Sequence, residues 1–406
     1  MLTTLIYQSQ SEAEFSDLDL INLTIAACKK NKAIQVTGIL LFNGSEFFQV
    51  LEGEEEVIDL LFCHISEDQR HTDVVELMRD YSAYRRFSDI GMTFFDLRIA
   101  DKNTLVDEIH QLDHVQNHHL HDDKIFRLIK RFIAQGAWHR PSCGLKSAQW
   151  EMVSKKESRQ DRLWQTEKGV LYTFALQPIV EPMSGRIASF EALIRDAKGR
   201  SPGAIFSAIP SDSLYAFDLQ TKAIALELAG KILRDDEKIA INLLPGSLHT
   251  IPNAVAQLTA QISQANLRPE QVIIELLETE VITNTVDFHK ILKDIRAAGI
   301  GLAVDDFGSG YSRMSFLSKI QPDEIKIDRS LIQDIHKMGG QQSVVVAIVR
   351  YCQDMGINLV AEGVEKLEEW CWLQSIGVNL YQGFLFARPC VDGIGEIQWP
   401  VKKHHI

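Results

Sequence analysis

The sequence predicts two domains of different class: an α+β unit of ferredoxin-like order at the front, and behind it a parallel α/β fold read as a (β/α)8 barrel. Three observations carry that expectation. A chain of 406 residues is too long for one ordinary core. Residues 1–95 run strand, helix, two strands, helix and two further extended segments. Beyond residue 160 or so, short β-branched runs alternate with helical stretches, the pattern of a parallel sheet covered by helices.

In the front unit a strand is expected over 2–7 and a helix over 16–30. Strands at 38–42 and 46–52 flank Asn43-Gly44-Ser45, a hairpin signal because Asn and Gly tolerate positive φ. A helix over 54–66 and extended segments at 74–80 and 88–94 complete the order β-α-β-β-α-β with an extra strand, in which helices cover one sheet face. Residues 96–160 form a connector. There Ile125, Leu128, Ile129, Phe132 and Ile133 make an apolar helical stripe that must be covered. Lys124, Arg127, Lys130 and Arg131 share that helix, so a membrane surface competes with packing on a domain or a second subunit, and packing is the expectation. His110, His114 and His118, with His119 and His121 nearby, could offer a metal-binding face. Without carboxylate or Cys partners they read as a solvated polar face. Residues 161–406 are the barrel.

Composition narrows the function classes. Hydrophobic residues at 45% and charged residues at 24% describe a folded chain rather than a disordered one. A net charge of −13 argues against a general grip on duplex nucleic acid. Cys28, Cys63, Cys143, Cys352, Cys371 and Cys390 contain no C-x-x-C pair, so neither a disulfide framework nor a zinc site is indicated, and a reducing cytoplasm is expected. No apolar run reaches the roughly 18 residues of a membrane span, and Met1 leads into a strand-like segment rather than a basic and apolar signal, so neither secretion nor insertion is expected.

The chemistry lies where the strand-like runs end, because a (β/α)8 barrel builds its site there. Glu191 follows the run 187–190, Asn242 ends 238–241, Glu275 ends 272–274, and Asp305 and Asp306 end 301–304. Lys326 lies within 324–327, Glu362 follows 358–361, and Gln382 follows 378–381. One polar residue closing a strand is usually a cap or turn former. Seven runs delivering oxygen ligands or a cation to one rim are a different matter. Carboxylate and amide oxygens without His or Cys suit hard cations such as Mg²⁺ or Mn²⁺. Two such ions about 3.5–4 Å apart would neutralise the carboxylates, with Asp305 able to bridge them, and would activate water for in-line attack on phosphorus. After Asp305 and Asp306 come Phe307-Gly308-Ser309-Gly310-Tyr311-Ser312, a loop two glycines allow to bend.

Glu191-Ala192-Leu193-Ile194-Arg195 resembles the signature of the EAL phosphodiesterases of bacterial signalling. The likeness extends through Gln177-Pro178-Ile179-Val180, Asn242-Leu243, Glu275-Leu276-Leu277-Glu278-Thr279, Asp305-Asp306-Phe307-Gly308, Lys326-Ile327-Asp328, Ala361-Glu362-Gly363-Val364-Glu365 and Gln382-Gly383-Phe384. The resemblance implies a modified TIM barrel whose first strand runs antiparallel, and hydrolysis of cyclic di-GMP to linear pGpG. It implies that Glu191, Asn242, Glu275 and Asp305 hold one divalent cation (Mg²⁺ or Mn²⁺), and Asp305, Asp306, Glu362 and Gln382 a second. Lys326 and Glu362 would share water activation and charge stabilisation, Glu278 would brace the loop after Asp306, and Arg195 and Gln177 would touch substrate.

The front unit is similar to the BLUF blue-light flavin sensors through Leu5-Ile6-Tyr7-Gln8-Ser9, Asn31, Val36-Thr37-Gly38-Ile39-Leu40, Phe48-Gln49-Val50-Leu51-Glu52-Gly53, Asp68-Gln69-Arg70-His71 and Met92. That resemblance implies noncovalent FAD between two helices, with Asn31 and Gln49 at the ring's polar edge, Tyr7 bonded to Gln49, Arg70 near the flavin, and Met92 on the last strand as listener. Where many relatives carry Trp, two positions before Met92, this chain has Ile90, so a Trp-in, Trp-out switch is not available. A homodimer is expected to pass the signal on. Two rivals remain at this point: an enolase-like metal-dependent lyase, against which Asn242, Gln382 and the adjacent Asp pair argue, and a catalytically silent cyclic di-GMP receptor, against which the intact carboxylates argue.

Overall fold

A computed structural model describes residues 2–12, 15–81, 85–87, 91–112, 124–135, 145–156, 172–196, 202–277, 287–310, 317, 320–391 and 393–403. The chain divides into two compact units, residues 1–142 with 334–344, and residues 143–333 with 345–406.

In the first unit, β1 (Leu2–Ser11), β2 (Thr37–Phe42), β3 (Glu46–Glu54), β4 (His71–Tyr81) and β5 (Thr93–Asp96) form one sheet in the order β4-β1-β3-β2-β5. Helices α1 (Asp17–Ala33) and α2 (Glu55–Ser66) complete the ferredoxin-like order, and β5, parallel to β2, is the extra strand. Ser16 starts α1 through a capping box with Asp19, satisfying first-turn amides that the helix leaves unpaired. The β2–β3 hairpin closes as read from Asn43: its Oδ1 accepts Ser45 N at 3.0 Å and Glu46 N at 2.8 Å.

Strand alternation divides the core in two. Leu5, Tyr7 and Leu51 face Ile58 and Leu61 of α2, and Leu40, Phe42 and Phe47 meet Leu20 of α1. The opposite face carries Ile6, Ile39, Leu41, Phe48 and Val50, and it is covered too, by α3 (Lys102–Gln111) and α4 (Lys124–Gln135). Helices therefore cover both sheet faces rather than one. The apolar stripe of the connector explains this: Ile125, Ile129, Phe132 and Ile133 are buried on the sheet, and Phe132 stacks on Phe48 at 5.0 Å between centroids. Burying each such side chain contributes about 1.5–3 kcal/mol, which a bare sheet face would forgo.

The second unit is a closed eight-stranded barrel. Its strands are β7 (Tyr172–Glu181), β8 (Arg186–Asp196), β9 (Lys238–Asn242), β10 (Val272–Leu277), β11 (Gly301–Phe307), β12 (Glu324–Ile327), β13 (Asn358–Ala361) and β14 (Leu380–Tyr381). Strand β7 runs antiparallel to both of its neighbours, β8 and β14, and all other pairs are parallel, as the family resemblance implied. Beside the barrel, β6 (Trp150–Lys155) pairs antiparallel with β15 (Ile397–Lys402). Around it lie α5 (Pro202–Phe206), α6 (Leu214–Ile232), α7 (Pro245–Thr250), α8 (Ala254–Gln264), α9 (Asp287–Ala297), α10 (Arg329–Ile332), the part of α11 (Gly339–Met355) from residue 345 on, and α12 (Leu367–Ser375). Below the rim the interior is apolar and small, with Ala240, Ile273 and Ala303 packed together, which leaves polar side chains to the layer above.

Candidate active site at the barrel rim and the polar cluster of the front unit

Parallel register delivers the rim residues side by side: Glu275 pairs with Asn242, and Leu277 with Asp305. Glu191 lies inside β8 rather than after it, because the pairing with β7 continues as far as Asp196. Between β11 and β12 the register slips, so that Asp305 and Asp306 together oppose Lys326. Successive residues on a strand normally point to opposite faces. This bulge, with Asp306 at φ +54°, lets both carboxylates join one cluster at some cost in backbone strain. Beside Gln382, a Cβ on Gly383 would come within 2.1 Å of the Val364 carbonyl oxygen, so glycine is required for that close approach.

Lys326 is the centre of the arrangement. Its ammonium, with 0% exposure, lies 2.7 Å from Glu362 Oε1, 2.8 Å from Glu275 Oε1, 3.1 Å from Asp305 Oδ1 and 3.4 Å from Glu191 Oε2. Burial alone would lower the Lys326 pKa, but the four carboxylates outweigh it and hold the amine well above its ordinary value. Burial pushes the Glu275 and Glu362 carboxyls well above the usual range. For Glu191, burial is outweighed by Lys326 and by bonds from Gln382 and Asn242, and its pKa falls. Asp306 is pushed up to about 6 by burial and then by Asp305 and Asp328.

Two sets of carboxylates have ligand atoms close enough to share a cation: Glu191, Glu275 and Asp305, and Asp305, Asp306 and Glu362. Asp305 belongs to both. Asn242 Nδ2 donates to Glu191 Oε1 at 2.8 Å, and Gln382 Nε2 donates to Glu191 Oε2 at 2.6 Å and to Gln177 Oε1 at 3.1 Å. Gln177 in turn donates to the Ala387 carbonyl at 3.0 Å, so it is fixed beside Gln382. Glu275 Oε2 and Gln382 Oε1 are buried and accept no hydrogen bond, and Glu275 Oε1 and Asp305 Oδ1 are faced only by the Lys326 ammonium. Buried oxygen atoms left so, in a set free of nitrogen and sulfur ligands, fit hard divalent cations. Arg195, half-buried near the end of β8, donates Nη1 to its neighbour Ile194 O at 2.9 Å.

In the first unit, Tyr7 and Gln49 face each other across β1 and β3. The Tyr7 hydroxyl donates to Gln49 Oε1, and Gln49 Nε2 donates to Met92 Sδ at 2.9 Å. Asn31 Nδ2 reaches the same sulfur at 3.9 Å. All four side chains are buried, and burial raises the Tyr7 hydroxyl pKa well above the ordinary phenol value. Met92 stands one residue before β5 rather than on it. Arg70 is turned onto Asp68 and is mostly exposed, and hydrogen bonds from Arg70 draw the Asp68 carboxyl down to about 2. Glu278, Ile90, Tyr311, Ser312 and the His110, His114 and His118 series, with His119 and His121, fall outside the residues whose side chains are described.

The bulge at Asp305–Asp306 and the contact between Gln49 and Met92 were not foreseen in this form. Adjacent aspartates followed by Phe-Gly were the only sequence sign of the first. Nothing local signals the second, since the two residues are 43 apart.

Residues 161–389 match the family described as EAL domain, and residues 2–93 match the family described as sensors of blue-light using FAD. The blue light- and temperature-regulated antirepressor BluF of Escherichia coli is 37% identical over 404 residues, covering 99% of this chain and 100% of that protein. The manganese and cyclic di-GMP complex of Klebsiella pneumoniae BlrP1 superposes with a TM-score of 0.92 at 50% identity, covering 99% of this chain and 100% of the other. BlrP1 with FMN and cyclic di-GMP, without metal ions, gives 0.86 at 47% identity, with the same coverage.

Proposed function

Because the chain belongs to the EAL domain family and opens with a domain of the blue-light flavin sensor family, we propose that it is a blue-light-regulated phosphodiesterase that hydrolyses cyclic di-GMP to linear pGpG. The observation that carries the reading is a fully buried Lys326 surrounded by four carboxylates, with Asp305 common to two oxygen sets. Glu191, Asn242, Glu275 and Asp305 would hold one divalent cation, and Asp305, Asp306, Glu362 and Gln382 the other. The Gln382 amide also bonds Glu191, a member of the first set. Bound cations supply charge neutralisation at the phosphate and a more acidic water.

The chain's own groups do the rest. Glu362 takes the proton of the attacking water, while Lys326, 2.7 Å away, balances the negative charge that develops as the new P–O bond forms and the opposite P–O bond breaks. The departing ribose oxygen takes a proton from solvent water, and Glu362 returns its own to solvent, so the step balances. Arg195 meets a phosphate, Gln177 touches the substrate while accepting a hydrogen bond from Gln382, and Glu278 braces the loop after Asp306.

FAD supplies light absorption in the front unit. Asn31 and Gln49 hold the polar edge of its ring, and Arg70 lies near the flavin. The Tyr7 hydroxyl, fully protonated at rest, is placed to release and regain its proton through Gln49. Reversal of the Gln49 amide exchanges the donor and acceptor facing Tyr7 and Met92, so the N–H to sulfur bond is lost without any charge moving. Met92, one residue before β5, is the element that passes this change on.

The proposal includes a homodimer, expected at twice the 45.9 kDa chain mass by light scattering, and a cytoplasmic location. Among the described residues no helix is long and apolar enough to cross a membrane. The BluF relative is an antirepressor, which favours a second reading in which the barrel binds the dinucleotide and signals by contact. Chromatography of cyclic di-GMP incubated with the purified chain, in the dark and in blue light, separates the two. Formation of pGpG with Mg²⁺ or Mn²⁺, abolished by EDTA and altered by light, is the expected result. Binding without hydrolysis under every condition would favour the contact reading.

A further inference from the structure

Asn242 ends β9, and the chain turns at once through Leu243 and Leu244 into α7. That turn is held from α6. Asp218, 1% exposed, accepts Lys222 Nζ on Oδ1 at 2.6 Å. Its Oδ2 accepts Leu244 N at 2.9 Å and Ser247 Oγ at 2.7 Å. Lys222 and Ser247 are buried as well, so all the polar groups of this network are satisfied away from water. Two further contacts confine the same turn. Leu243 N donates to Glu275 O at 3.0 Å, and Gly246 lies so close to the Tyr215 ring that a Cβ there would come within 2.2 Å of it.

A buried ion pair adds little net stability compared with apolar side chains of similar volume, so its presence calls for a reason in geometry. The geometry is at the other end of the turn. Asn242 donates Nδ2 to Glu191, which leaves its side-chain oxygen as the atom to meet a cation. We propose that Asp218 is a positioning residue for the cation site: with Lys222 as its counter-ion, it clamps the 243–247 turn and so fixes Asn242 beside Glu191 and Glu275. The inference rests on the reading of Asn242 as a cation ligand. It also makes a chemical demand. The Asp218 carboxylate accepts on both oxygens, whereas an amide has one acceptor and one donating NH2 group. Asp218→Asn must therefore give up either Lys222 or the turn, and in either case a buried donor loses its partner.

The test is Mn²⁺ binding to the purified full-length chain, followed by electron paramagnetic resonance of the free ion, alongside melting in EDTA. For Asp218→Asn the Mn²⁺ dissociation constant is expected to rise about tenfold, the usual scale for losing a group that orients a ligand, with turnover restored at saturating Mn²⁺. Ser247→Ala, which removes one bond and no charge, is expected to give a smaller rise in the same direction. Unchanged affinity in both variants, with only a lower melting temperature in EDTA, would overturn the clamp and leave a purely structural role. If Asp218→Asn does not fold, unchanged affinity in Ser247→Ala overturns it alone. A wild-type chain that takes up no Mn²⁺ would overturn the clamp together with the reading beneath it, a result separable from the first because it appears before any substitution is made.

Discussion

The charged cluster at the barrel rim and the polar chain of the front unit are built on opposite principles. At the barrel rim, charge dominates: five acidic side chains, Glu191, Glu275, Asp305, Asp306 and Glu362, gather round one lysine, and Glu275 Oε2 is buried with no hydrogen bond. In the front unit, a neutral chain of Tyr7, Gln49 and Met92 is fully bonded and carries no charge. A charged cluster is sensitive to the loss of any member, since each removal leaves an uncompensated neighbour in low dielectric. A neutral amide can reverse at little cost, because the same atoms offer both donor and acceptor. The contrast teaches how one chain can couple a costly chemical step to a small signal: the rim is held together by charge, and the sensor is switchable by geometry.

The contrast can be broken most forcefully at its charged end. Lys326→Met should lower the turnover number for cyclic di-GMP by about 10²–10³, the range for removing one preorganised charge-stabilising donor, and steady-state kinetics in saturating Mn²⁺ would read it. Turnover within a few-fold of wild type would show that the ammonium does not meet the transition state. Gln49→Leu should remove the light effect altogether while keeping bound flavin and dark turnover, because no amide remains to reverse. Met92→Leu keeps the packing but loses the sulfur acceptor, so a reduced and not abolished light effect is expected from the same dark-against-light assay.

The smallest effect concerns pH. Asp306 has a folded pKa of about 6, raised above the roughly 3.9 of an unfolded Asp, so its contribution to cation-free stability is present below pH 4 and is lost as pH rises through 6. Melting in EDTA should therefore fall between pH 5 and pH 7, less steeply in Asp306→Asn, and the gain from added Mn²⁺ should be larger at pH 7 than at pH 5. Parallel slopes for the two chains would remove Asp306 as the cause.

Much of this was legible in the sequence because it is carried by periodicity and by single strands. The alternation that buries Ile39 and Leu41 on one face and Leu40 and Phe42 on the other, the Asn43 turn, and the stripe Ile125, Ile129, Phe132 and Ile133 can all be read along the chain. What covers that stripe could not be, since an apolar helix face is the same whether it meets a sheet, a partner or a lipid surface. The rim residues were recognisable as strand-end oxygens, but the bulge that turns both Asp305 and Asp306 inward depends on pairing with β12, a long-range property. Asp218 and Lys222 illustrate the same limit. At i, i+4 on a helix they read as an ordinary surface pair, and only the fold shows that both are buried against the turn after Asn242.

Anomalous diffraction from crystals of this chain grown with Mn²⁺ tests the central claim most directly. The account predicts two manganese peaks at the barrel rim, about 3.5–4 Å apart, with an Asp305 oxygen in reach of both and Lys326 beside them. A single peak, or manganese bound away from Glu191, Glu275, Asp305 and Glu362, would contradict it.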